Sequence, residues 1–263
     1  MKTIIVLTNN KDIHRYLTAK NINCVDGLEK INFRLKPVVV MFSFGKLISK
    51  ELLQKTAFYN VHNSLLPKYR GLHAFTWAII NGEKEVGYTL HKVTEGIDNG
   101  PIASQLKISI SPSDDINAVF TKANKMVLPW FEKEIIKLSK LGLAKLKPQD
   151  ESEATFVCKR KPEDGLIDWS KSARELVNFT RALTPPYTPG AFCVHKSQKV
   201  IIPRAENYPT PNYKGIEGQI VARVPNKGVL IKCGDGVVLV RDVISNDKKI
   251  NSLELFKTVG ARL

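Results

Sequence analysis

Two runs of β-branched residues, with an amphipathic segment between them, constrain the fold of this chain more than any other feature. The runs are KTIIVLT and KPVVVMFS, and each is typical of a strand buried on both faces of a parallel sheet. Between them, NNKDIHRYLTAK carries Ile13, Tyr16 and Leu17 at helical spacing, with Asn9 or Asn10 available as the N-cap. Strands that alternate with helices predict an open, mostly parallel, Rossmann-like α/β sheet.

The alternation continues through the first half of the chain. ISKELLQK predicts a short helix, whereas AFYNVH, EVGYTLHKV and PIASQLKISI predict strands. From Asp114 to about Leu141 the apolar residues keep helical spacing. Pro129 predicts a kink in that helix because proline removes one backbone hydrogen bond and crowds the preceding turn.

The composition changes near residues 145–165, where KLKPQDESEATFVCKRKPEDG is polar and charged. We therefore predict a first domain over residues 1–150, a linker over 151–164 and a second domain over 165–263. In the second domain, Ser172 and Glu175 have the spacing of a capping box at the start of a helix. The helix stripe that follows consists of Leu176, Phe179 and Leu183.

Short β segments separated by glycine, asparagine and proline fill the rest of the chain. They are AFCVH, KVIIPRAE, GQIVARV, GVLIKCG and GVVLVRDV. Closely spaced short strands of this kind predict a small OB-like β-barrel.

The composition of the chain restricts its expected cellular compartment and the kinds of partner that it can bind. The apolar start of the chain is short and β-branched, so we interpret it as the first strand rather than a signal peptide, and no run is long enough for a membrane span. The four cysteines lack metal-binding or disulfide spacing, which favours a reducing cytoplasm. A formal net charge of +15 suits an anionic partner, although scattered surface lysines would produce it equally well.

The stretch NVHNSLLPKYRG contains the first candidate catalytic groups, Asn60 and His62. Both fall at the end of a predicted strand and lie two residues apart, so they project from the same side if the strand extends through them. An amide can stabilise an oxyanion, and an imidazole can move a proton near neutral pH. Asp98, in the glycine-bracketed turn TEGIDNG, is available to orient the imidazole. The spacing alone is compatible with an acyl-transfer site.

Other interpretations of these residues stay open at this level. Asparagine, histidine and aspartate are also ordinary turn residues. A Ser-His-Asp hydrolase would use Ser64, but the chain lacks the G-x-S-x-G elbow around it. No G-x-G-x-x-G follows the first strand, which argues against dinucleotide binding. We assign no role to the remaining histidines, His14, His73, His91 and His195.

The residues themselves then point to a family. NVHNSLLPKYRG followed by WAIINGEKEVGYTLHKVTEGIDNGPI resembles the 10-formyltetrahydrofolate-dependent formyltransferases. PEDGLIDWSKSARELVNFTRAL, PGAF and GDGVVLV resemble the C-terminal domain that methionyl-tRNA formyltransferase and the aminoarabinose formyltransferase carry. The resemblance covers nearly all of residues 36–263 in order. Residues 1–150 would then be the catalytic domain.

By this resemblance Asn60, His62 and Asp98 match the catalytic trio, and 10-formyltetrahydrofolate is the implied co-substrate, with no metal. Two segments match the loops that hold the folate pterin: Lys46, Leu47 and Ile48, and Thr94, Glu95, Gly96 and Ile97. The sequence departs from the family at Asn63 and Asn99, and neither departure removes a catalytic group.

The resemblance also implies the acceptor. The chain before Asn60 is compact and lacks the basic insertion with which the tRNA enzymes hold the acceptor arm. We therefore expect the amine of a nucleotide-diphosphate-linked amino sugar as the acceptor, with initiator Met-tRNA as the second candidate. A non-catalytic RNA-binding protein is a third hypothesis, which the small number of aromatic residues in the later β segments disfavours. We expect no membrane partner, and a homodimer is one option for the assembly.

Overall fold

The structure is a computed structural model that describes residues 3–141, 146–209 and 212–263. These residues form two compact units that interleave along the chain. Unit 1 takes its residues from 1–75, 85–109 and 121–159, and unit 2 from 76–84, 110–120 and 160–263. The sequence boundaries at residues 150 and 165 stay a prediction. Lys2 of the first predicted strand and Lys145 of the polar segment lie outside the described residues.

Each predicted helix and strand has a counterpart among the described elements, and several further elements were not predicted. The described helices are α1 (Lys11–Ala19), α2 (Lys50–Lys55), α3 (Ala74–Ile80), α4 (Ile116–Leu141), α5 (Ala173–Ala182) and α6 (Ser252–Leu255). The described strands are β1 (Ile4–Leu7), β2 (Cys24–Val25), β3 (Val38–Phe42), β4 (Phe58–His62), β5 (Arg70–Gly71), β6 (Glu85–Lys92), β7 (Ile102–Ser109), β8 (Phe156–Val157), β9 (Phe192–His195), β10 (Gln198–Ile201), β11 (Ala205–Asn207), β12 (Ile220–Val224), β13 (Gly228–Lys232), β14 (Val237–Val240), β15 (Asp242–Ser245) and β16 (Lys248–Asn251).

Unit 1 contains a six-stranded sheet in the order β2-β1-β3-β4-β6-β7. Strands β1 to β4 run parallel. Strand β6 pairs antiparallel with β4, and β7 pairs antiparallel with β6 at the edge of the sheet. The predicted open, mostly parallel α/β sheet is therefore confirmed. Every residue of β3 is buried, as its β-branched composition predicts.

Helix α1 begins as predicted. The Asn10 side chain accepts from the backbone N–H groups of Asp12 and Ile13, and Ile13 and Leu17 are buried. Helix α4 contains Pro129 within its span, and the kink there stays a prediction. No helix of the described residues is long and apolar enough to cross a lipid bilayer.

Unit 2 contains two four-stranded antiparallel sheets, in the orders β16-β15-β10-β9 and β11-β14-β13-β12. The antiparallel C-terminal region is thus confirmed, while closure into an OB-like barrel stays a prediction. KVIIPRAE holds two strands rather than one, because Pro203 has no N–H for a strand ladder. GVVLVRDV likewise divides into β14 and β15.

The predicted capping box of α5 is present. The Ser172 hydroxyl accepts from the Glu175 N–H at 3.2 Å, and the Glu175 carboxylate accepts from the Ser172 N–H at 2.9 Å. Below the helix, the inward faces of the two sheets form an apolar cluster that includes Leu176, Ile231 and Phe256.

Candidate active site

The candidate site lies at the carboxyl end of β4, where Asn60 and His62 project from the same face of the strand. Strand β4 is central, with β3 parallel on one side and β6 antiparallel on the other. Asn60 lies opposite His91 on β6, and His62 lies opposite Thr89. The carboxyl ends of parallel strands are where ligands bind in open α/β sheets.

Asp98 comes to His62 from the turn between β6 and β7. One carboxylate oxygen, Oδ2, lies 3.3 Å from His62 Nδ1. The backbone of Asp98 is left-handed, with φ of 50°, a conformation that aspartate tolerates better than most residues. The structure thus brings together the two predicted groups that are 36 positions apart in sequence.

The Asp98 carboxylate is held by further donors. Its Oδ2 accepts from the backbone N–H of Gly71 at 3.0 Å. Gly71 has φ of 106°, and a Cβ there would clash with the carbonyl oxygen of Val157, so only glycine fits. The glycine that ends NVHNSLLPKYRG therefore places a backbone donor on the candidate catalytic carboxylate.

His91 is a member of the site that sequence reasoning missed. Its Nε2 lies 3.4 Å from Asp98 Oδ1 and 3.4 Å from Asn60 Nδ2, and its Nδ1 lies 3.0 Å from the Lys92 carbonyl oxygen. His91 is buried and connects the amide of Asn60 to the carboxylate of Asp98. The pairing of EVGYTLHKV with AFYNVH would have indicated it, because antiparallel pairing sets His91 opposite Asn60.

The other ring nitrogen of His62 faces a backbone carbonyl. His62 Nε2 lies 2.9 Å from the Tyr69 oxygen, so both nitrogens face acceptors. A neutral imidazole can donate to one of them, and the imidazolium can donate to both. Burial lowers the pKa of His62 below its ordinary value of 6.5, and Asp98 and the Tyr69 carbonyl offset part of that effect. The expected support from Asp98 for the protonated form is present, but burial outweighs it.

The pKa of Asp98 is lowered as well. Burial alone would raise the pKa of the carboxyl group, but the hydrogen bond with His91 and the charge of His62 outweigh burial. The Gly71 N–H acts in the same direction. Asp98 is therefore a stable anion against the imidazole at neutral pH.

The hydrolase alternative based on Ser64 does not fit this geometry. The Ser64 hydroxyl donates to the Lys68 carbonyl oxygen at 2.7 Å, and its own carbonyl oxygen accepts from the Thr89 hydroxyl at 2.6 Å. The ring nitrogens of His62 meanwhile face Tyr69 and Asp98. Ser64 thus shapes the loop after β4 and is not directed at His62.

The two segments matched to folate loops lie close together. Lys46, Leu47 and Ile48 follow β3, and Thr94, Glu95, Gly96 and Ile97 follow β6. An ion pair of 3.0 Å joins Lys50 to Glu95 next to both segments. Ile48 and Val93 pack against the same apolar cluster. Leu47 and Ile97 are 91% and 59% exposed, so the loops present apolar surface to a ligand.

Together, these groups are suited to acyl transfer. The half-buried Asn60 amide can donate to an oxyanion, and His62 can accept and deliver a proton with Asp98 beside it. Asn60, His62 and Asp98 supply the polar groups that such a reaction requires.

Comparisons with known proteins agree with this chemistry. The family described as "Formyl transferase" matches residues 17–131, and "Formyl transferase, C-terminal domain" matches residues 159–259. Between them they cover most of the chain. A bifunctional polymyxin resistance protein ArnA from Wigglesworthia glossinidia brevipalpis is 38% identical over 199 residues, which is 73% of this chain. The chain spans only 30% of the length of that relative.

Solved structures show the same fold. An N-formyltransferase from Helicobacter canadensis, in complex with folinic acid and dTDP-3-aminofucose, has a TM-score of 0.65 and 18% identity, covering 91% of this chain and 99% of its own. Methionyl-tRNA formyltransferase from Clostridium thermocellum has a TM-score of 0.61 and 20% identity, covering 79% of this chain and 94% of its own. At these identities the likeness establishes the fold alone.

Proposed function

The chain belongs to the formyl transferase family, and from that premise we propose that it transfers a formyl group from 10-formyltetrahydrofolate to an amino sugar linked to a nucleotide diphosphate. The observation that carries the proposal is the convergence of Asn60, His62 and Asp98 at the carboxyl end of β4. Each of the three supplies a group that formyl transfer to an amine requires.

The first requirement is stabilisation of negative charge. When the acceptor amine attacks the formyl carbon of the folate, the formyl oxygen becomes an oxyanion. The Asn60 amide can donate a hydrogen bond to that oxygen, and such a donor stabilises the transition state more than the ground state. His91 Nε2, 3.4 Å from Asn60 Nδ2, restricts the orientation of the amide.

The second requirement is proton transfer. The attacking amine must lose a proton, and the folate nitrogen that leaves must gain one. The lowered pKa of His62 favours a neutral imidazole at neutral pH, and Nε2 would accept the proton once it turns from the Tyr69 carbonyl oxygen to the amine. Asp98, 3.3 Å from Nδ1, orients the ring and stabilises the imidazolium that forms.

The folate would lie against the loops that contain Leu47 and Ile97. Their exposed apolar side chains suit the flat pterin, and backbone groups of Thr94 to Ile97 are available for hydrogen bonds with its polar edge. No metal enters the proposed reaction, because the charge that develops is met by Asn60 and His62.

One similarity supports a sugar acceptor, because a structural neighbour is described in complex with folinic acid and dTDP-3-aminofucose. A nucleotide sugar carries two phosphate groups, which basic side chains bind well. The second candidate acceptor is initiator Met-tRNA, which the net charge of +15 and the likeness to a methionyl-tRNA formyltransferase favour.

Salt dependence separates the two acceptors. Binding of tRNA through about six phosphates would weaken by about a thousandfold between 50 and 200 mM salt, whereas two phosphates give a far smaller change. The experiment measures the mass gain of one formyl group on a panel of nucleotide-linked amino sugars and on Met-tRNA, with 10-formyltetrahydrofolate. We expect formylation of a nucleotide-linked amino sugar that persists at about 200 mM salt. Efficient, salt-tolerant formylation of Met-tRNA would replace the sugar acceptor with tRNA.

A further inference from the structure

A chain of polar side chains reaches the Asp98 turn from residues 149–151, next to the start of the predicted linker. Gln149 Nε2 donates to the backbone carbonyl oxygens of Asp98 and Gly100, each at 2.7 Å. Gln149 Oε1 accepts from Arg70 Nη2 at 2.8 Å and from Arg70 Nε at 3.2 Å. One amide therefore joins the Asp98 turn to Arg70.

Arg70 is a rigid anchor for this amide. Its side chain is 2% exposed and forms a two-point ion pair with Glu151, at 2.8 Å from Nη1 to Oε2 and 2.7 Å from Nη2 to Oε1. A buried guanidinium is costly unless its donors are satisfied, so its partners are held in place. Gln149 is thus fixed at one end by a buried charge.

The Asp98 turn requires such support. Its left-handed backbone, with φ of 50°, is less favourable for a residue with a side chain than an extended or right-handed helical backbone. Strain of this kind persists where neighbouring groups hold the backbone in place. Gln149 binds the carbonyl oxygens on both sides of Asn99, which fixes the turn immediately after Asp98.

The same stretch of chain also holds the second partner of His62. The backbone N–H of Tyr69 donates to the Thr155 hydroxyl at 2.8 Å, and the N–H of Arg70 donates to the Thr155 carbonyl oxygen at 2.8 Å. Tyr69 is itself left-handed, with φ of 61°, and its carbonyl oxygen faces His62 Nε2. Residues 149–155 therefore hold the groups that face both ring nitrogens of His62.

We propose that Gln149, anchored by Arg70, is a positioning residue for the formyl transfer reaction, because it holds the Asp98 carboxylate at its working distance from His62. The proposal rests on the function proposed above, in which Asp98 assists His62. Gln149 acts through the backbone of Asp98, because its amide binds the Asp98 turn and Arg70 rather than His62.

If Gln149 only stabilised the fold, its loss would lower the unfolding free energy. The pKa of His62 would then stay unchanged in the protein that remains folded. Loss of a positioning amide lets the Asp98 carboxylate move away from the ring. The pKa of His62 then falls further, because Asp98 raises it in the folded protein.

The test compares Gln149→Met with Gln149→Glu and with a matched control. Methionine removes both halves of the amide with little change in volume, whereas glutamate keeps an acceptor for Arg70 and removes the donor to the Asp98 turn. Gln105→Met is the control, since Gln105 Nε2 also donates twice, to the Leu66 carbonyl oxygen at 2.8 Å and the Thr89 hydroxyl at 2.9 Å. The measurements are kcat and KM, and a ¹⁵N NMR titration of the His62 ring.

We expect both Gln149 variants to lower kcat by about tenfold to a hundredfold, with KM for either substrate changed by less than about threefold. In Gln149→Met the pKa of His62 should shift to lower pH, as in Asp98→Asn, and Gln105→Met should not shift it. A Gln149→Glu enzyme with the parent kcat, or an unshifted His62 in folded Gln149→Met, would overturn the proposal.

The NMR titration separates this proposal from the proposed function, because it needs no turnover. If Asp98→Asn retains full activity while Gln149→Met shifts the pKa of His62, the assisting role of Asp98 fails and the link from Gln149 to His62 remains. If Asp98→Asn is inactive while Gln149→Met changes neither the rate nor the pKa, the positioning role of Gln149 fails alone.

Discussion

The carboxyl end of β4 in unit 1 and the sheet interior of unit 2 are stabilised in opposite ways. Around β4, the buried side chains of His62 and Arg70 are joined by ion pairs to the partly buried Asp98 and the exposed Glu151. Inside unit 2, a large apolar cluster fills the space between the two sheets, with Ile231 and Val238 fully buried. Near β4, hydrogen bonds offset the cost of removing polar groups from water. In unit 2, the burial of apolar side chains stabilises the fold.

This difference indicates where function is located. Buried polar groups contribute little net stability, because each must recover the hydration that it loses. A cluster of them beside loops that expose apolar residues is therefore a candidate for chemistry rather than for stability. Changes near β4 should affect the rate and changes inside unit 2 should affect stability.

The largest effect is expected for Asn60→Ala and His62→Ala. Each removes a group that acts in the transition state, so kcat should fall by about a hundredfold or more. The folded structure should persist, as circular dichroism and thermal unfolding would show. A folded variant with kcat within a few-fold of the parent would contradict the role of that residue.

Asp98→Asn should have the next largest effect. Asparagine tolerates the left-handed turn and still accepts from the Gly71 N–H, but it removes the charge next to His62. We expect kcat to fall by about tenfold or more, and the acid limb of the kcat/KM profile to move to lower pH. An unchanged pH profile with retained activity would make Asp98 an ordinary turn residue.

His91→Phe tests the residue that sequence reasoning missed. Phenylalanine fills the buried space but cannot face Asp98 Oδ1 or Asn60 Nδ2 with a polar atom. The contact with the Asp98 carboxylate is long, at 3.4 Å, so we expect it to contribute no more than a typical hydrogen bond of about 0.5–1.5 kcal/mol, and kcat should fall by about twofold to tenfold. His14→Phe, at a partly exposed histidine of α1, is the control and should leave kcat unchanged.

Ile231→Val tests whether the apolar interior of unit 2 contributes to stability without affecting the rate. Removing one buried methylene group from the unit 2 cluster should lower the unfolding free energy by about 0.5–1.5 kcal/mol and leave kcat unchanged. Urea unfolding together with steady-state kinetics would measure both. A variant with parental stability and reduced kcat would show that the two regions are not functionally distinct.

The smallest effect concerns pH. Burial lowers the pKa of His62 and of His195 below 6.5, so the unfolded chain binds protons first as the pH falls. The contribution of these two histidines to the unfolding free energy should be constant above about pH 7 and fall as the pH drops below about 6.5. His62→Asn should flatten this slope more than His195→Asn, because His62 is more deeply buried. If the unfolding free energy depended on pH equally in the parent, His62→Asn and His195→Asn, the lowered pKa of the two histidines would be contradicted.

Much of the fold could be read from local patterns. The β-branched runs, the Asn10 cap and the Ser172–Glu175 capping box are short-range features, and each is present where it was predicted. The order of the strands could not be read in this way. The division of KVIIPRAE at Pro203 was likewise missed, because the run of apolar residues on either side conceals the lost N–H.

The chemical types in the site were determined by the sequence itself. Asn60 and His62 alternate along one strand, and Asp98 lies between glycines, so an amide, an imidazole and a carboxylate were all recognisable as candidates. Their roles remain a proposal.

Only the tertiary structure decided which other residues hold Asn60 and the Asp98 turn in place. His91 reaches Asn60 only through the pairing of β6 with β4, and Gln149 reaches the Asp98 turn across 51 positions of sequence. Helical and strand periodicity act over a few residues, whereas hydrogen bonds between distant segments depend on where the sheet brings the chain together. For that reason the polar segment near residues 145–165 contains residues that hold the candidate site in place: Gln149 just before the predicted linker, and Glu151 and Thr155 within it.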